Sequence, residues 1–174
     1  DIPDSTNLDD LYEVFVDGIS PHITKVTSSP AIEALAENET VDIDIYFNEV
    51  VTLNQSIEFW LSSNRDAADG FEISTVSTVT DNNVEVSRAR YTYQVAGGDF
   101  TSSALYISAI NAPLVKDLSL NAVTSLTLPA GQKLSDNSTL TVETVNPVID
   151  EITTTATDAH TYGEDAVISV TVIF

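Results

Sequence analysis

The sequence predicts an all-β protein built as an antiparallel two-sheet sandwich, and three observations carry that expectation. Apolar and polar residues alternate in short runs rich in Val, Ile, Thr and Tyr, the residues that suit a pleated, half-buried surface. Turn formers interrupt those runs at short spacing: Asp69-Gly70, Asp81-Asn82-Asn83, Gly97-Gly98-Asp99, Ala130-Gly131 and Ser135-Asp136-Asn137. No regular helical pattern separates the runs, which argues against a parallel sheet with crossover helices.

In chain order, the first alternating pair is Val14 and Val16, and Ala31 to Ala36, framed by Pro30, is the only helix-like window. Val41 to Phe47 alternates over a full strand length, as do Ile57, Phe59 and Leu61. Val84 and Val86 share one parity whereas Ala89, Tyr91, Tyr93 and Val95 take the other, so a bulge is expected near Ser87 and Arg88. Leu105 with Ile107, and Leu126 with Leu128, complete the set. Seven or so strands in about 125 residues fit a sandwich of immunoglobulin type, with a closed barrel as the alternative.

The two ends of the chain read as copies of one another. Val14, Val16, Pro21, Ile23, Val26, then Val41, Ile43, Ile45 and Phe47, answer to Leu140, Val142, Pro147, Ile149, Ile152, then Ile168, Val170, Val172 and Phe174. The offset is 126 residues from Pro21 to Pro147 and 127 from Phe47 to Phe174, a period of domain size. The expected organisation is therefore the last strand of a preceding module in residues 1–20, a complete module in 21–146, and the first strands of a following module in 147–174.

Charge narrows the function classes. With 27 acidic and 6 basic residues the net charge is −21, which repels nucleic acid and anionic membranes. No apolar run approaches the roughly 20 residues that a membrane-crossing helix needs, so membrane insertion is not expected. Without cysteine there is no thiol catalysis, no zinc knuckle and no disulfide framework. No Gly-x-Ser-x-Gly elbow or phosphate-binding glycine loop is present, and His22 and His160 fall in different repeat copies. The expectation is a non-enzymatic protein.

The order of several short motifs is more specific. Tyr91-Thr-Tyr-Gln-Val-Ala-Gly-Gly-Asp99, Val115-Lys-Asp117-Leu-Ser-Leu-Asn121 and Leu140-Thr-Val-Glu143-Thr-Val-Asn-Pro147 follow one another, and Tyr162-Gly-Glu164-Asp165 leads into the strand ending at Phe174. This series resembles the bacterial immunoglobulin-like repeats of giant secreted adhesins and cyanobacterial motility-type surface proteins. In that family a Tyr-x-Val-x-x-Gly-Asp strand end, a Lys-Asp-x-x-Gly-Asn turn and an Asp-Thr-Thr-Ala-Pro linker recur in this order. The chain departs from the pattern at Leu120-Asn121, where the family has Gly-Asn, and at Glu143, where the linker has Asp. Glu37-Asn38-Glu39 stands in place of the Gly-Asp pair, and Asn48-Glu49 where the family often has Ser-Glu. The resemblance implies an extracellular, cell-surface location and neighbouring modules, of the same chain or of identical subunits, as partners; the distal target is not implied.

Acidic groups that converge where modules join repel one another, and a calcium ion, which takes six to eight oxygen ligands, turns that repulsion into a bridge. On this reasoning Asp17 and Glu143 are linker ligands, and Glu37, Glu39, Asp99, Asp117, Asp158, Glu164 and Asp165 are loop ligands, with calcium as the cofactor. The loop Asn64 to Gly70 lacks the spacing and terminal Glu of an EF-hand and reads as a polar hairpin tip. Trp60 is out of phase with Ile57, Phe59 and Leu61, which sends it to the other sheet face. Three functions follow: a calcium-stiffened spacer in a surface adhesin, a filament subunit assembled by strand exchange between chains, and a carbohydrate-binding module using Trp60.

Overall fold

The computed structural model describes residues 16–63, 70–101, 103–156 and 161–174. Val14, the Asn64–Asp69 part of the loop, Asp158 and His160 lie outside them. Contacts divide the chain into two units, Asp1–Thr144 and Val145–Phe174.

The first unit is all-β. Its main sheet contains β1 (Ile23–Ser29), β3 (Thr40–Phe47), β8 (Val84–Gln94) and β7 (Val76–Asp81), in the order β1-β3-β8-β7 and antiparallel throughout. The second principal sheet is β6 (Phe71–Ile73), β5 (Ile57–Leu61) and β9 (Ile107–Asn111), also antiparallel. A short antiparallel ladder joins β4 (Val51–Leu53) to β10 (Val115–Asp117). The remaining pair, β2 (Ile32–Leu35) with β11 (Thr139–Val142), is parallel, as is the isolated bridge between His22 and Ser125, whereas the other strand pairs among the described residues of the unit are antiparallel as expected.

Alternation explains the core. Ile43, Ile45 and Phe47 of β3, with Ile23 and Val26 of β1, meet Ile57 and Phe59 of β5 in one fully buried cluster. Phe59, Phe71, Tyr91 and Tyr93 interlock across the sheets, with ring centroids 5.2–5.7 Å apart. Offset and edge-on aromatic pairs at this spacing stabilise a core beyond the area they bury.

Turn chemistry is as the residues dictate. Asn82 and Asn83 both have positive φ (51° and 67°) and close the β7–β8 hairpin, the geometry in which asparagine replaces glycine most readily. Ser135-Asp136-Asn137 forms a helical turn, α1 (Leu134–Asn137), that buries Leu134.

Three local expectations are corrected. The helix-like window Ala31 to Ala36 contains strand β2 instead, because its backbone pairs with β11 and a helix of six residues would leave most of its own polar groups unmatched. The parity change in β8 takes no bulge in that strand. Its first half pairs only with β7, while Ser87 turns its buried hydroxyl toward Val51, accepting from that N–H at 2.9 Å. Leu126 and Leu128 pack against the core without belonging to a strand.

In the second unit β12 (Glu151–Thr154) pairs antiparallel with β13 (Val170–Ile173). The pairing Val26↔Ile45 of the first unit recurs as Ile152↔Val172, and Ser28↔Ile43 recurs as Thr154↔Val170. The turn before the second strand recurs too. Glu39 N–H donates to the Ala36 carbonyl and Ala166 N–H to the Gly163 carbonyl, both at 3.2 Å, while Asn38 and Asp165 take φ of 70° and 66°. Both strand register and turn conformation thus follow the sequence offset of 126 to 127 residues.

Candidate metal centre

Acidic residues lie beyond both ends of β3, Glu37 and Glu39 before it and Glu49 after it. Eight residues at about 3.3 Å each separate the two groups by roughly 26 Å.

Beside the segment that precedes β1, Asp17, Glu49 and Asp117 each place a carboxylate oxygen within 4.8 Å of the others. No other three His, Cys, Asp or Glu residues among the described ones come together in this way. Asp17 lies on the segment before β1, Glu49 on the connection from β3 to β4, and Asp117 at the end of β10. Asp117 is buried, Glu49 half-buried and Asp17 exposed, so the group opens from the interior toward solvent.

Asn121 organises this cluster. Its backbone N–H donates to Asp117 Oδ1 at 2.8 Å and its side-chain Nδ2 to Asp117 Oδ2 at 2.7 Å. The same Nδ2 reaches the carbonyls of Asp17 (3.1 Å) and Ile19 (3.4 Å), which ties the incoming segment to the β10 turn. The turn requires φ = 72° at Leu120, a left-handed conformation that costs an L-residue roughly 1–2 kcal/mol and glycine nothing. Asp17 Oδ1 accepts from Ile19 N–H at 2.9 Å, and Asn48 bridges His22 N–H to Glu49, donating to Oε1 at 2.9 Å.

Burial raises the Glu49 carboxyl above its ordinary value of 4.5, the charges of Asp117 and Asp17 push the same way, and the Asn48 hydrogen bond and His22 oppose them. A hard cation relieves that repulsion. The donor set is all carboxylate, which suits calcium or magnesium and gives soft or nitrogen-preferring metals no ligand of their own.

The other predicted residues fall elsewhere. Glu37 is exposed and sets its carboxylate against Gly97, where an added Cβ would lie 3.1 Å from Oε1. The Glu39 carboxylate accepts from Ala36 N–H at 2.7 Å and closes the turn. Asp99 is buried, and its carboxylate accepts from the Tyr93 hydroxyl (2.6 Å) and Ala96 N–H (2.9 Å), a structural role inside the strand end. Glu143 bridges to Phe100 and donates its N–H to the Leu35 carbonyl. Glu37, Asp99 and Glu143 therefore share the far end of the unit with Glu39, without meeting as a ligand group. Glu164 and Asp165 form the exposed turn of the second unit, the counterpart of Glu37 and Asn38.

Two of the residues expected as ligands, Asp17 and Asp117, come together, and the third member of their cluster, Glu49, was not among those expected. The signal for Glu49 was its position directly after the long alternating strand, in Asn48-Glu49. Trp60 is half-buried on the face opposite Phe59, and its indole lies against Gly70, where a Cβ would come within 2.9 Å of the ring. The ring is thus engaged by its own unit.

No family model, curated protein or solved structure matches this chain.

Proposed function

We propose that this chain is a stretch of a tandem array of immunoglobulin-like β-sandwich modules, a non-enzymatic spacer of a bacterial cell-surface adhesin whose junctions are stiffened by calcium. In this reading residues 1–20 end one module, 21–146 form the next and 147–174 begin a third. The observation that carries it is the recurrence in the second unit of both the strand register and the left-handed turn of the first. A sequence repeat that also repeats its pairing is a repeat of structure, and modules related in that way contact their neighbours in the chain.

The carboxylates of Asp17, Glu49 and Asp117 support the calcium part of the reading. They come from the incoming segment and, in the module it enters, from the β3–β4 connection and the end of β10, so a cation held among them would fix the approach of the preceding module. The resemblance of the chain's motifs to secreted surface repeats and its net charge of −21 support an extracellular setting.

A second reading, a filament subunit assembled by strand exchange, draws on the second unit. Ile152, Val170 and Val172 are 62%, 63% and 42% exposed, whereas their counterparts Val26, Ile43 and Ile45 are fully buried. Small-angle X-ray scattering on a stretch of three modules separates the two. The spacer predicts one extended length in calcium and a shorter, broader distribution in chelator, at any concentration. Assembly that grows with protein concentration contradicts the spacer and favours the filament.

A further inference from the structure

The outward faces of the two equivalent hairpins carry different charges. On β3, Asp42 and Asp44 face the arginines of β8. Arg90 holds Asp44 through two hydrogen bonds of 2.7 Å and reaches Asp42 at 2.9 Å, while Arg88 stands 3.7 Å from Asp44. Asp44 is buried despite pointing away from the core, so its charge depends on these partners. At the offset of 127 residues the same positions are Ser169, directly before β13, and Thr171 on it, and Tyr46 is replaced by Ile173. On β12, Glu151 stands where β1 has Lys25, which binds Asp81 at 2.8 Å and sits over the Tyr46 ring. The inward positions keep their character: Ile43, Ile45 and Phe47 become Val170, Val172 and Phe174.

Among the described residues β13 pairs only with β12, whereas β3 pairs with β8 on its other side. The second unit therefore presents a strand edge like the one that β8 fills in the first. A strand with the inward pattern of β8 fits either hairpin by shape. Charge decides between them, because on the second hairpin the two arginines of β8 would find Ser169 and Thr171 in place of their carboxylates.

We propose that the Asp42/Asp44–Arg88/Arg90 ladder is a strand-selection device, and that β13 accepts one antiparallel strand patterned like β8 but uncharged at the two outward positions. The occupant is the β8-equivalent strand of the second unit's own repeat. The inference rests on the tandem reading above and adds which strand goes where. In an array of similar hairpins, mismatched outward charges keep β8 of one module from completing the hairpin of the next.

The test uses the full chain and two synthetic 12-residue probes. One has the sequence of residues 84–95; the other carries Arg88→Thr and Arg90→Thr. Binding is followed by amide hydrogen exchange at Val170–Ile173 and by titration in 0.5 M salt, which suppresses general attraction to the acidic chain. The neutral probe should bind at least tenfold more tightly and slow exchange at those amides. Ser169→Asp with Thr171→Asp should invert the order. Equal binding of both probes at β13 overturns the charge device and leaves the tandem reading standing. Protection of β13 by neither probe overturns both. Protection that rises with chain concentration in the absence of probe assigns the edge to a second copy and overturns the assignment made here.

Discussion

At the scale of residues the account turns on Glu49. Its carboxyl is raised above 4.5, so the folded state holds a proton that the unfolded chain has already released, and stability falls as pH rises through that window. In chelator, Glu49→Gln should therefore melt higher than the parent at pH 7, and the difference should vanish below pH 4.5. Thermal unfolding of both proteins across that range checks it; a variant that melts lower at pH 7 contradicts the repulsion. Leu120 supplies a second prediction. It is 73% exposed and holds φ = 72°, so Leu120→Gly removes strain at little cost in packing and should stabilise by about 0.5–1 kcal/mol in denaturant titration. The sequence showed this position as a departure from a Gly-Asn turn, and only the backbone angle shows why glycine suits it. Asp17 and Asp117 were legible as acidic residues next to turns. Glu49 and Asn121 were not, since nothing local tells which loop returns to the incoming segment.

Elements were legible where one physical signal dominated. β3, β5 and the second half of β8 alternate cleanly, and each lies where its pattern put it. The errors arose where a partner decides: β2 is too short to show a period and is a strand through its pairing with β11, and Leu126 and Leu128 alternate but find no ladder. The β3–β8 pair is fixed from both faces, apolar residues inward and charges outward. Arg90→Ala leaves Asp44 buried beside Arg88 alone and should cost about 2–4 kcal/mol in denaturant unfolding. Tyr93→Phe deprives the buried Asp99 carboxylate of a hydroxyl donor at 2.6 Å and should cost about 1–3 kcal/mol. A change below 0.5 kcal/mol in either variant would show that the pair does not hold the strand.

At the scale of the whole molecule, the repeat was legible as an offset of anchors and the structure gave it physical content, because register and turn recur with the same offset. The packed β core followed from alternation; the gathering of Asp17, Glu49 and Asp117 did not, because it depends on three segments far apart in sequence. Calcium is the ligand proposed for Asp17, Glu49 and Asp117, and a ligand bound only to the native state stabilises it by mass action. The direct measurement is the melting temperature of the parent chain and of Glu49→Gln, each in millimolar calcium and in excess chelator. Calcium should raise the melting temperature of the parent by several degrees and leave the variant nearly unmoved. Equal melting of the parent in calcium and in chelator would contradict it.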